Sequence, residues 1–230
     1  MDGVRYAADV VGQSLRTSLH DKGLFYERKY GLARDEPRYE SKLGFASPAE
    51  SALERIAAGS VVLDLGSSDG HLAGALRAKG CTVIGVDLAE PERTDRFDEF
   101  IRWNLDHGPP PIDRPIDVVV MADVIEHLRA PEDFAERLAE FCRVHEVRQV
   151  LVSTGNVAFL VQRVMLVLGQ FNYGPRGILD MTHTRLFTVR TIPRLFRQAG
   201  FTTRETFGIP APFPLATGNR RLAGALLRAN

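Results

Sequence analysis

The sequence predicts an α/β fold in which a doubly wound, mostly parallel sheet carries helices on both of its faces. Short, continuous apolar runs, such as VVLDL at 61–65 and IDVVVMAD at 116–123, alternate with segments of helical periodicity. Strands that are buried on both faces give such uninterrupted runs, whereas half-exposed strands alternate apolar and polar residues. The segments between the runs have the length of the crossover helices that parallel neighbours require.

Each element can be placed in order along the chain. The predicted strands are 61–65, 82–87, 99–104, 116–123, 148–154 and 201–209. The predicted helices begin near Ser47, Gly70, Pro131 and Thr188, with an additional apolar helix at 157–168. Ser47 and Thr188 carry the hydroxyl that caps a helix start, because it accepts a bond from a free backbone N–H.

Composition limits the class of protein. The chain has 230 residues, of which 44% are hydrophobic, and this fits one globular domain with a sizeable core. Lys plus Arg equals Asp plus Glu at 29 each, so no overall basic surface for nucleic acid is expected. Two isolated cysteines, Cys81 and Cys142, are typical of a reducing compartment and predict a cytoplasmic protein. No signal peptide or membrane-spanning stretch is recognised.

The turn after the first strand predicts a ligand site. It reads Asp-Leu-Gly-Ser-Ser-Asp-Gly at 64–70, and ligands of open parallel sheets bind beyond the carboxyl ends of the strands. Gly66 and Gly70 let the backbone bend and approach a ligand, and the helix that follows offers free N–H groups to an anion. Asp87 ends the second strand and can accept hydrogen bonds from both hydroxyls of a ribose. Together these features predict a pocket for a nucleoside with an anionic tail.

A dinucleotide-dependent oxidoreductase is one candidate for such a pocket. Its phosphate turn has the pattern G-x-G-x-x-G directly after the strand. In this chain Ser68 stands at the second glycine, and Asp64 precedes the first. The oxidoreductase is therefore the least favoured reading.

The turn resembles motif I of the class I S-adenosylmethionine-dependent methyltransferases, (D/E)-x-G-x-G-x-G, with Ser68 in place of the central glycine. VIGVDLAE at 83–90, WNL at 103–105 and DVVVMADVIEHL at 117–128 resemble the family's next three motifs. The resemblance covers about residues 47–209 and implies a Rossmann-like fold with S-adenosylmethionine as cofactor. The family's sheet has a seventh strand, which we expect to be missing here because the end of the chain offers no strand pattern.

The resemblance also implies which residues bind the cofactor. Asp87 corresponds to the ribose acid, and Asn104 replaces the acid that meets the adenine edge, where its amide oxygen could accept from the adenine amino group. The cofactor-binding residues implied in this way are Asp64, Gly66, Ser67, Ser68, Gly70, Asp87, Leu88, Asn104, Leu105 and Ala122.

Methyl transfer to a hydroxyl requires a group that removes a proton, and four residues are catalytic candidates: Asp123, Glu126, His127 and His183. DVIEH at 123–127 with a distant histidine resembles the metal site of small-RNA 2′-O-methyltransferases, with Asp123 at the first Glu. On that reading the four side chains bind Mg²⁺ or Mn²⁺, which would lower the pKa of a vicinal diol. Without metal, His183 is the expected general base.

The remaining segments are expected to serve the substrate. Residues 1–46 form a helical lid, 47–210 form the methyltransferase domain with a substrate-lid insertion at 156–188, and 211–230 form a tail helix. Tyr173 and Arg176 are predicted to bind the hydroxyls or anionic groups of the substrate. The apolar helix at 157–168 is expected to pack against the core and to contribute to the lid, with contact to a greasy substrate, a partner subunit or a membrane surface as alternatives.

The sequence thus predicts an S-adenosylmethionine-dependent enzyme that methylates a hydroxyl of a small molecule, a sugar or a lipid-linked acceptor. A resemblance to methyltransferases of bacterial glycan and ubiquinone pathways favours this acceptor class. Peripheral membrane contact and a homodimer formed at a bare sheet edge are further expectations, and no nucleic acid is expected as a partner. An N-methyltransferase and an inactive cofactor-binding scaffold remain as alternatives.

Overall fold

A computed structural model of the chain describes residues 47–174 and 177–209. Within these ranges the strands form one parallel sheet in the order β3-β2-β1-β4-β5. The strands are β1 Val61–Leu65, β2 Thr82–Asp87, β3 Glu99–Arg102, β4 Val118–Ala122 and β5 Gln149–Ser153. The chain leaves β1 in one direction for β2 and β3 and later returns to the other side for β4 and β5. This reversal opens a crevice beyond the carboxyl ends of β1 and β4.

Helices cover both faces of the sheet, as the sequence predicts. They are α1 Pro48–Arg55, α2 His71–Ala78, α3 Pro131–Val144, α4 Leu160–Val167 and α5 Thr191–Gln198, with 3-10 turns at Thr94–Arg96, Leu105–His107 and Ile125–His127. The Ser47 hydroxyl accepts a bond of 3.1 Å from the Glu50 N–H at the start of α1. The Thr188 hydroxyl accepts one of 3.2 Å from the Thr191 N–H at the start of α5. The predicted cap Ser47 is confirmed, whereas Thr188 lies in the turn before α5, whose cap position is occupied by Arg190.

Alternate residues of the buried strands supply two hydrophobic layers. Leu63 of β1 and Met121 of β4 belong to the layer that α3 and α5 cover. Val62 of β1 and Val120 of β4 belong to the layer that α1 and α2 cover. Because both faces of these strands are buried, their sequences are apolar without interruption.

The predicted strand at 201–209 is wrong, since these residues form no strand and most of them are exposed. Phe201 packs against Phe196 of α5 with 5.5 Å between ring centroids. The guanidinium of Arg55 lies 4.1 Å from the centroid of the Phe207 ring. Each of these two aromatic residues thus contacts a helix, and no residue of 201–209 pairs with a strand. Within the described ranges β5 consequently pairs only with β4.

Several predictions concern residues outside the described ranges. These are the lid at 1–46, the tail helix at 211–230, the seventh strand and the substrate role of Arg176. Among the described residues, no helix has the length and apolarity that crossing a membrane would require.

Candidate functional site

The turn after β1 is shaped by two glycines in the left-handed region. Gly66 has φ +75° and Gly70 has φ +69°. A Cβ atom at Gly66 would overlap the Val124 side chain, and one at Gly70 would overlap the Phe97 ring. The backbone N–H groups of Gly66 and Ser67 donate to the Val86 carbonyl, which ties the turn to β2. The tight bend therefore depends on the absence of side chains at both glycines.

Ser68, which stands at the central glycine of the motif, also adopts a left-handed conformation, with φ +48°. This region is costly for residues that carry a Cβ, which explains why the family pattern has glycine here. The Ser68 N–H donates to Asp87 Oδ2 over 2.9 Å. The second carboxylate oxygen of Asp87 accepts a 3.1 Å bond from the Ala89 N–H. Each oxygen of Asp87 keeps a lone pair for a further donor.

Asp64 lies at the base of the crevice and is only 3% exposed. Burial, with a smaller contribution from the negative charge of Asp87, raises the pKa of Asp64 to about 7. A buried carboxylate of this kind is stabilised in its ionised form by a positive charge nearby. The crevice therefore has an acidic floor suited to a cationic ligand.

An unpartnered hydroxyl gives a second indication of a ligand. Ser67 is 8% exposed, and its Oγ has no hydrogen-bond partner among the described residues. A buried polar atom left without a partner costs free energy, so such an atom beside a crevice indicates that a ligand completes the site. The residues that line the crevice are Ala49, Asp64, Gly66, Ser67, Ser68, His71, Leu72 and Ala122.

His71, the first residue of α2, is held by Arg96. Arg96 Nη1 donates to the Asp69 carbonyl over 2.7 Å and lies 3.2 Å from His71 Nδ1. A guanidinium can only donate, so His71 Nδ1 is the acceptor and the ring proton is on Nε2. Burial and then the positive charge of Arg96 lower the pKa of His71. His71 is thus a neutral N–H donor in the lining of the crevice.

The other predicted cofactor residues lie at or just after the carboxyl ends of β2, β3 and β4. Leu88 follows Asp87 and is 63% exposed, which leaves a large apolar surface next to this acid. Asn104 Oδ1 accepts a 2.9 Å bond from the Asp106 N–H, so this amide first caps its own turn. Leu105 is buried in the core, and Ala122 lines the crevice at the end of β4.

Asp123 follows β4 directly and has φ +57°, in the left-handed region. Its N–H donates to Ser153 Oγ over 3.0 Å, and its Oδ1 accepts from the same hydroxyl over 2.7 Å. Backbone conformations that are costly for a residue with a Cβ are concentrated at functional sites. Asp123 therefore links the ends of β4 and β5 at the edge where the crevice opens.

Glu126 points inward and is 2% exposed. Its Oε1 accepts a 3.3 Å bond from the Gly155 N–H, and its backbone carbonyl accepts a 2.8 Å bond from the Thr184 N–H. Burial raises the pKa of Glu126, although nearby hydrogen bonds oppose the shift. Glu126 thereby joins three segments of the site edge.

His127 and His183 are neighbours, with 4.7 Å between ring centroids in an edge-to-face arrangement. His127 Nδ1 lies 3.0 Å from Thr182 Oγ1, and His183 Nδ1 lies 3.0 Å from the Ile178 carbonyl oxygen. Partial burial and then the neighbouring His183 lower the pKa of His127. The sequence predicts both histidines at this edge, and the structure places them in contact.

The four residues predicted to bind a cation do not form a metal site. Among residues 47–174 and 177–209, no three or more His, Cys, Asp or Glu side chains are placed to hold a metal ion. The reason is that Glu126 points inward toward the Gly155 N–H, while Asp123 bonds to Ser153. The arrangement of these four side chains therefore does not fit the metal hypothesis.

Helix α4 is more exposed than the sequence predicts. No residue of α4 is buried, and Val167 is 86% exposed. The expectation that this helix packs in the core is wrong, because α1, α2, α3 and α5 already cover the two faces of the sheet. Tyr173 lies close by in sequence, and its ring packs edge-on against Phe171 at 5.9 Å.

Three residues that the sequence reasoning did not single out have a place in the site: Arg96, Asp180 and Thr182. Asp180 accepts from both the N–H and the hydroxyl of Thr182 over 2.8 Å. The spacing Asp-x-Thr is typical of a local turn of this kind and could have indicated the pair. Arg96 lies 25 residues from His71 in the chain, and no local pattern predicts their contact.

Comparisons with known proteins identify the family to which the chain is similar. A family model described as a methyltransferase domain matches residues 38–206. A protein of Mycolicibacterium smegmatis named as a probable S-adenosylmethionine-dependent methyltransferase is 31% identical over 177 residues, which are 75% of this chain and 63% of that protein. The bifunctional methionine biosynthesis protein MetXA/MetW of Rhodopirellula baltica is 33% identical over 136 residues. This match covers 54% of the chain and 21% of the relative, so the chain spans less than two thirds of either relative's length.

Two solved structures share the fold. The 1,6-didemethyltoxoflavin-N1-methyltransferase of Burkholderia thailandensis, with bound S-adenosylhomocysteine, is 18% identical with a TM-score of 0.53, covering 93% of this chain and 85% of its own. The magnesium protoporphyrin IX methyltransferase of Synechocystis PCC 6803, also with bound S-adenosylhomocysteine, is 16% identical with a TM-score of 0.53, covering 72% and 77%. Since the family model matches well over half of the sequence, the chain belongs to this family of methyltransferase domains.

Proposed function

We propose that the chain transfers the methyl group of S-adenosylmethionine to a hydroxyl of a small-molecule, sugar or lipid-linked acceptor. The observation that carries the proposal is the crevice after β1, which is lined by the buried Asp64 and by Ser67 with its unpartnered hydroxyl. Asp87 adjoins this crevice, because it accepts a bond from the Ser68 N–H in the lining turn. A cationic nucleoside with an amino-acid tail matches this set of groups.

The residues of the crevice fit the parts of this cofactor. Asp87 has a free lone pair on each oxygen for the ribose hydroxyls, and the exposed side chain of Leu88 offers an apolar surface to the adenine. His71 donates through Nε2–H and so suits the methionine carboxylate, while Asp64 suits the positive charges. When bound, S-adenosylmethionine supplies a sulfonium methyl group that is displaced in line by a nucleophile.

The acceptor hydroxyl needs a base, because its pKa is far above neutral. His183 has its proton on Nδ1, since the Ile178 carbonyl oxygen can only accept, and its Nε2 therefore carries a lone pair. The hydroxyl proton passes to this nitrogen as the oxygen bonds to the methyl carbon, and the pair of the broken carbon–sulfur bond stays on sulfur. A proton acceptor at this position supports oxygen as the target atom.

The apolar surface of α4 supports an acceptor with an apolar part, and Tyr173 offers a hydroxyl to its polar part. The free, buried Cys81 and Cys142 support a reducing compartment such as the cytoplasm.

Calorimetric titration separates the cofactor classes. S-adenosylhomocysteine should bind to the full chain, whereas NAD⁺ should give no heat. Binding of NAD⁺ alone would overturn the proposal in favour of an oxidoreductase.

Transfer of a labelled methyl group to sugars, catechols, lipid-linked diols and matched amines identifies the acceptor class. Substitution His183→Ala should reduce turnover by about 10²–10⁴-fold while S-adenosylhomocysteine still binds. Substitution His145→Ala is the matched control, because His145 ends α3 and bonds to the Arg114 carbonyl on the surface. Labelling of amines alone would contradict oxygen as the target, and binding without any transfer would indicate a scaffold.

A further inference from the structure

Three side chains near His183 are connected by a series of hydrogen bonds. Asp180 Oδ1 accepts from the Thr182 hydroxyl over 2.8 Å, and Thr182 Oγ1 lies 3.0 Å from His127 Nδ1. The Thr182 N–H also donates to Asp180 Oδ1 over 2.8 Å, which fixes the threonine relative to the carboxylate. The series of hydrogen bonds ends at the imidazole of His127.

This series of hydrogen bonds determines which nitrogen of the His127 ring carries the proton. A hydroxyl has one proton to donate, and an ionised carboxylate can only accept. A hydrogen bond to a charged acceptor is roughly twice as strong as one between neutral groups, so the Thr182 proton points to Asp180. The lone pair of Thr182 then faces His127 Nδ1, which must carry the ring proton. His127 Nε2 is therefore unprotonated.

The neighbouring His183 has the same tautomer for an independent reason, its bond to the Ile178 carbonyl. Two imidazoles in edge-to-face contact at 4.7 Å thus both carry a lone pair on Nε2. The titratable groups that act on His127 are His183, Asp180 and Asp123. His71 in the crevice has the opposite tautomer, so the arrangement at the acceptor edge is specific to this part of the site.

We propose that His127 is a second proton acceptor beside His183, and that Thr182 and Asp180 are positioning residues that hold its proton on Nδ1. This inference rests on the proposed methyl transfer. The proton that the acceptor hydroxyl releases goes to one of the two Nε2 atoms. When His127 receives it, the Nδ1–H stays bonded to Thr182, and the Asp180 charge stabilises the imidazolium through the threonine hydroxyl.

Long-range ¹H–¹⁵N correlation spectra of the histidine-labelled full chain, recorded without ligand above the histidine pKa values, test the tautomer directly. The wild-type signal of His127, assigned with His127→Gln, should show the proton on Nδ1. Thr182→Val removes the hydroxyl at nearly constant shape and should move the proton to Nε2, the form that free imidazole favours in water. Thr182→Ser should restore the wild-type pattern.

His183 provides the internal control, because its bond to Ile178 is untouched and its signal should not change. Asp180→Asn is a second variant in case Thr182→Val fails to fold, and it should also weaken the Nδ1–H preference. A wild-type His127 with its proton on Nε2, or an unchanged tautomer in both variants, would overturn the proposal. The tautomer spectra do not depend on cofactor binding. Failure of the proposed function is therefore measured separately, by the titration with S-adenosylhomocysteine.

Turnover supplies the readout that a merely structural role would not move. With the hydroxyl acceptor identified above, Thr182→Val should lower kcat and leave KM and the affinity for S-adenosylhomocysteine unchanged. The acidic limb of the pH profile should move to lower pH, because the imidazolium loses its stabilising partner. Thr182→Ser should restore both the rate and the profile, and a profile that does not respond would contradict the role of His127.

Discussion

The two sides of the crevice are built by different means. The cofactor side is held mainly by backbone, with Gly66 and Ser68 in left-handed conformations and the Ser68 N–H bonded to Asp87. The acceptor side is held by bonds between side chains of an exposed segment, such as Thr182 and His127. The difference teaches that the part of the site common to the fold is a property of the main chain, whereas the part that meets the acceptor is a property of replaceable side chains.

The same residue type has opposite roles on the two sides. On the cofactor side, Arg96 can only donate to His71, which leaves His71 with a donating Nε2–H. On the acceptor side, the Ile178 carbonyl can only accept from His183, which leaves His183 with an accepting Nε2. The partner of Nδ1 therefore decides whether Nε2 of a histidine can donate or accept a proton.

The largest effect is expected where the backbone is most constrained. Gly66→Ala should weaken S-adenosylhomocysteine binding by about 100-fold or more, because the new Cβ overlaps Val124 and the backbone is left-handed. Strain and overpacking together should lower the free energy of unfolding by roughly 2–5 kcal/mol. Calorimetric titration and urea unfolding measure the two quantities.

Gly80→Ala separates these contributions. Gly80 has φ +88°, but a Cβ there would meet no atom within 4 Å. This control should lose about 1 kcal/mol of stability and no affinity. Equal losses of affinity in the two variants would break the claim that the turn itself forms the binding surface.

The next largest effect is expected at Asp87, whose carboxylate accepts a bond from the Ser68 N–H and is proposed to bind the ligand. Asp87→Asn removes the charge and one acceptor, so the affinity for S-adenosylhomocysteine should fall by about 10–100-fold, or roughly 1.4–2.7 kcal/mol. Asp117→Asn is the matched control, because Asp117 Oδ2 accepts a 2.9 Å bond from the Val61 N–H at the opposite end of β1. The control should lower stability alone, and a loss of affinity there would show that the effect is not local.

The buried acid predicts a pH dependence. Since the pKa of Asp64 is raised from 3.8 to about 7, the folded chain without ligand keeps a proton that the unfolded chain releases. The free energy of unfolding should therefore decrease as pH rises from about 4 to 7, by roughly 4 kcal/mol in total. A cationic ligand favours the ionised form, so the affinity for S-adenosylmethionine should rise about fivefold between pH 6 and 7.

Asp64→Asn removes both dependences if Asp64 is their source. Titrations in buffers of different ionisation enthalpy should show proton release on binding to the wild type and none for the variant. An affinity that does not change with pH in the wild type would indicate that the positive charges of the ligand lie away from Asp64.

The sequence predicted the buried half of the molecule well, for a physical reason. The bounds of β1 and β2 were predicted to the residue, because strands covered on both faces are apolar without interruption. The predictions of a strand at 201–209 and of a buried helix at 157–168 are wrong, because apolar residues alone do not determine which neighbours a segment contacts. Tertiary context decides such segments.

The candidate site divides in the same way. Topology alone places the ends of β1, β2 and β4 at one edge, so the turn at 64–70 and Asp87 could be recognised from sequence. The contact between His127 and Thr182 joins residues 55 apart in the chain, and no periodicity encodes it. The inward direction of Glu126 was equally hidden, and for this reason the metal hypothesis fitted the sequence but not the structure.

The smallest effect is expected for Ser68→Gly, which tests whether the cofactor side of the crevice depends on main chain alone. Ser68→Gly relieves a left-handed conformation with φ +48° and should stabilise the chain by at most about 1 kcal/mol. Glu146→Gly provides the same relief, with φ +54°, in the turn after α3 and away from the crevice. If the cofactor side depends on main chain alone, both variants should bind S-adenosylhomocysteine as tightly as the wild type. A loss of affinity in Ser68→Gly only would mean that the Ser68 hydroxyl contacts the ligand, so that this side of the site also depends on a replaceable side chain.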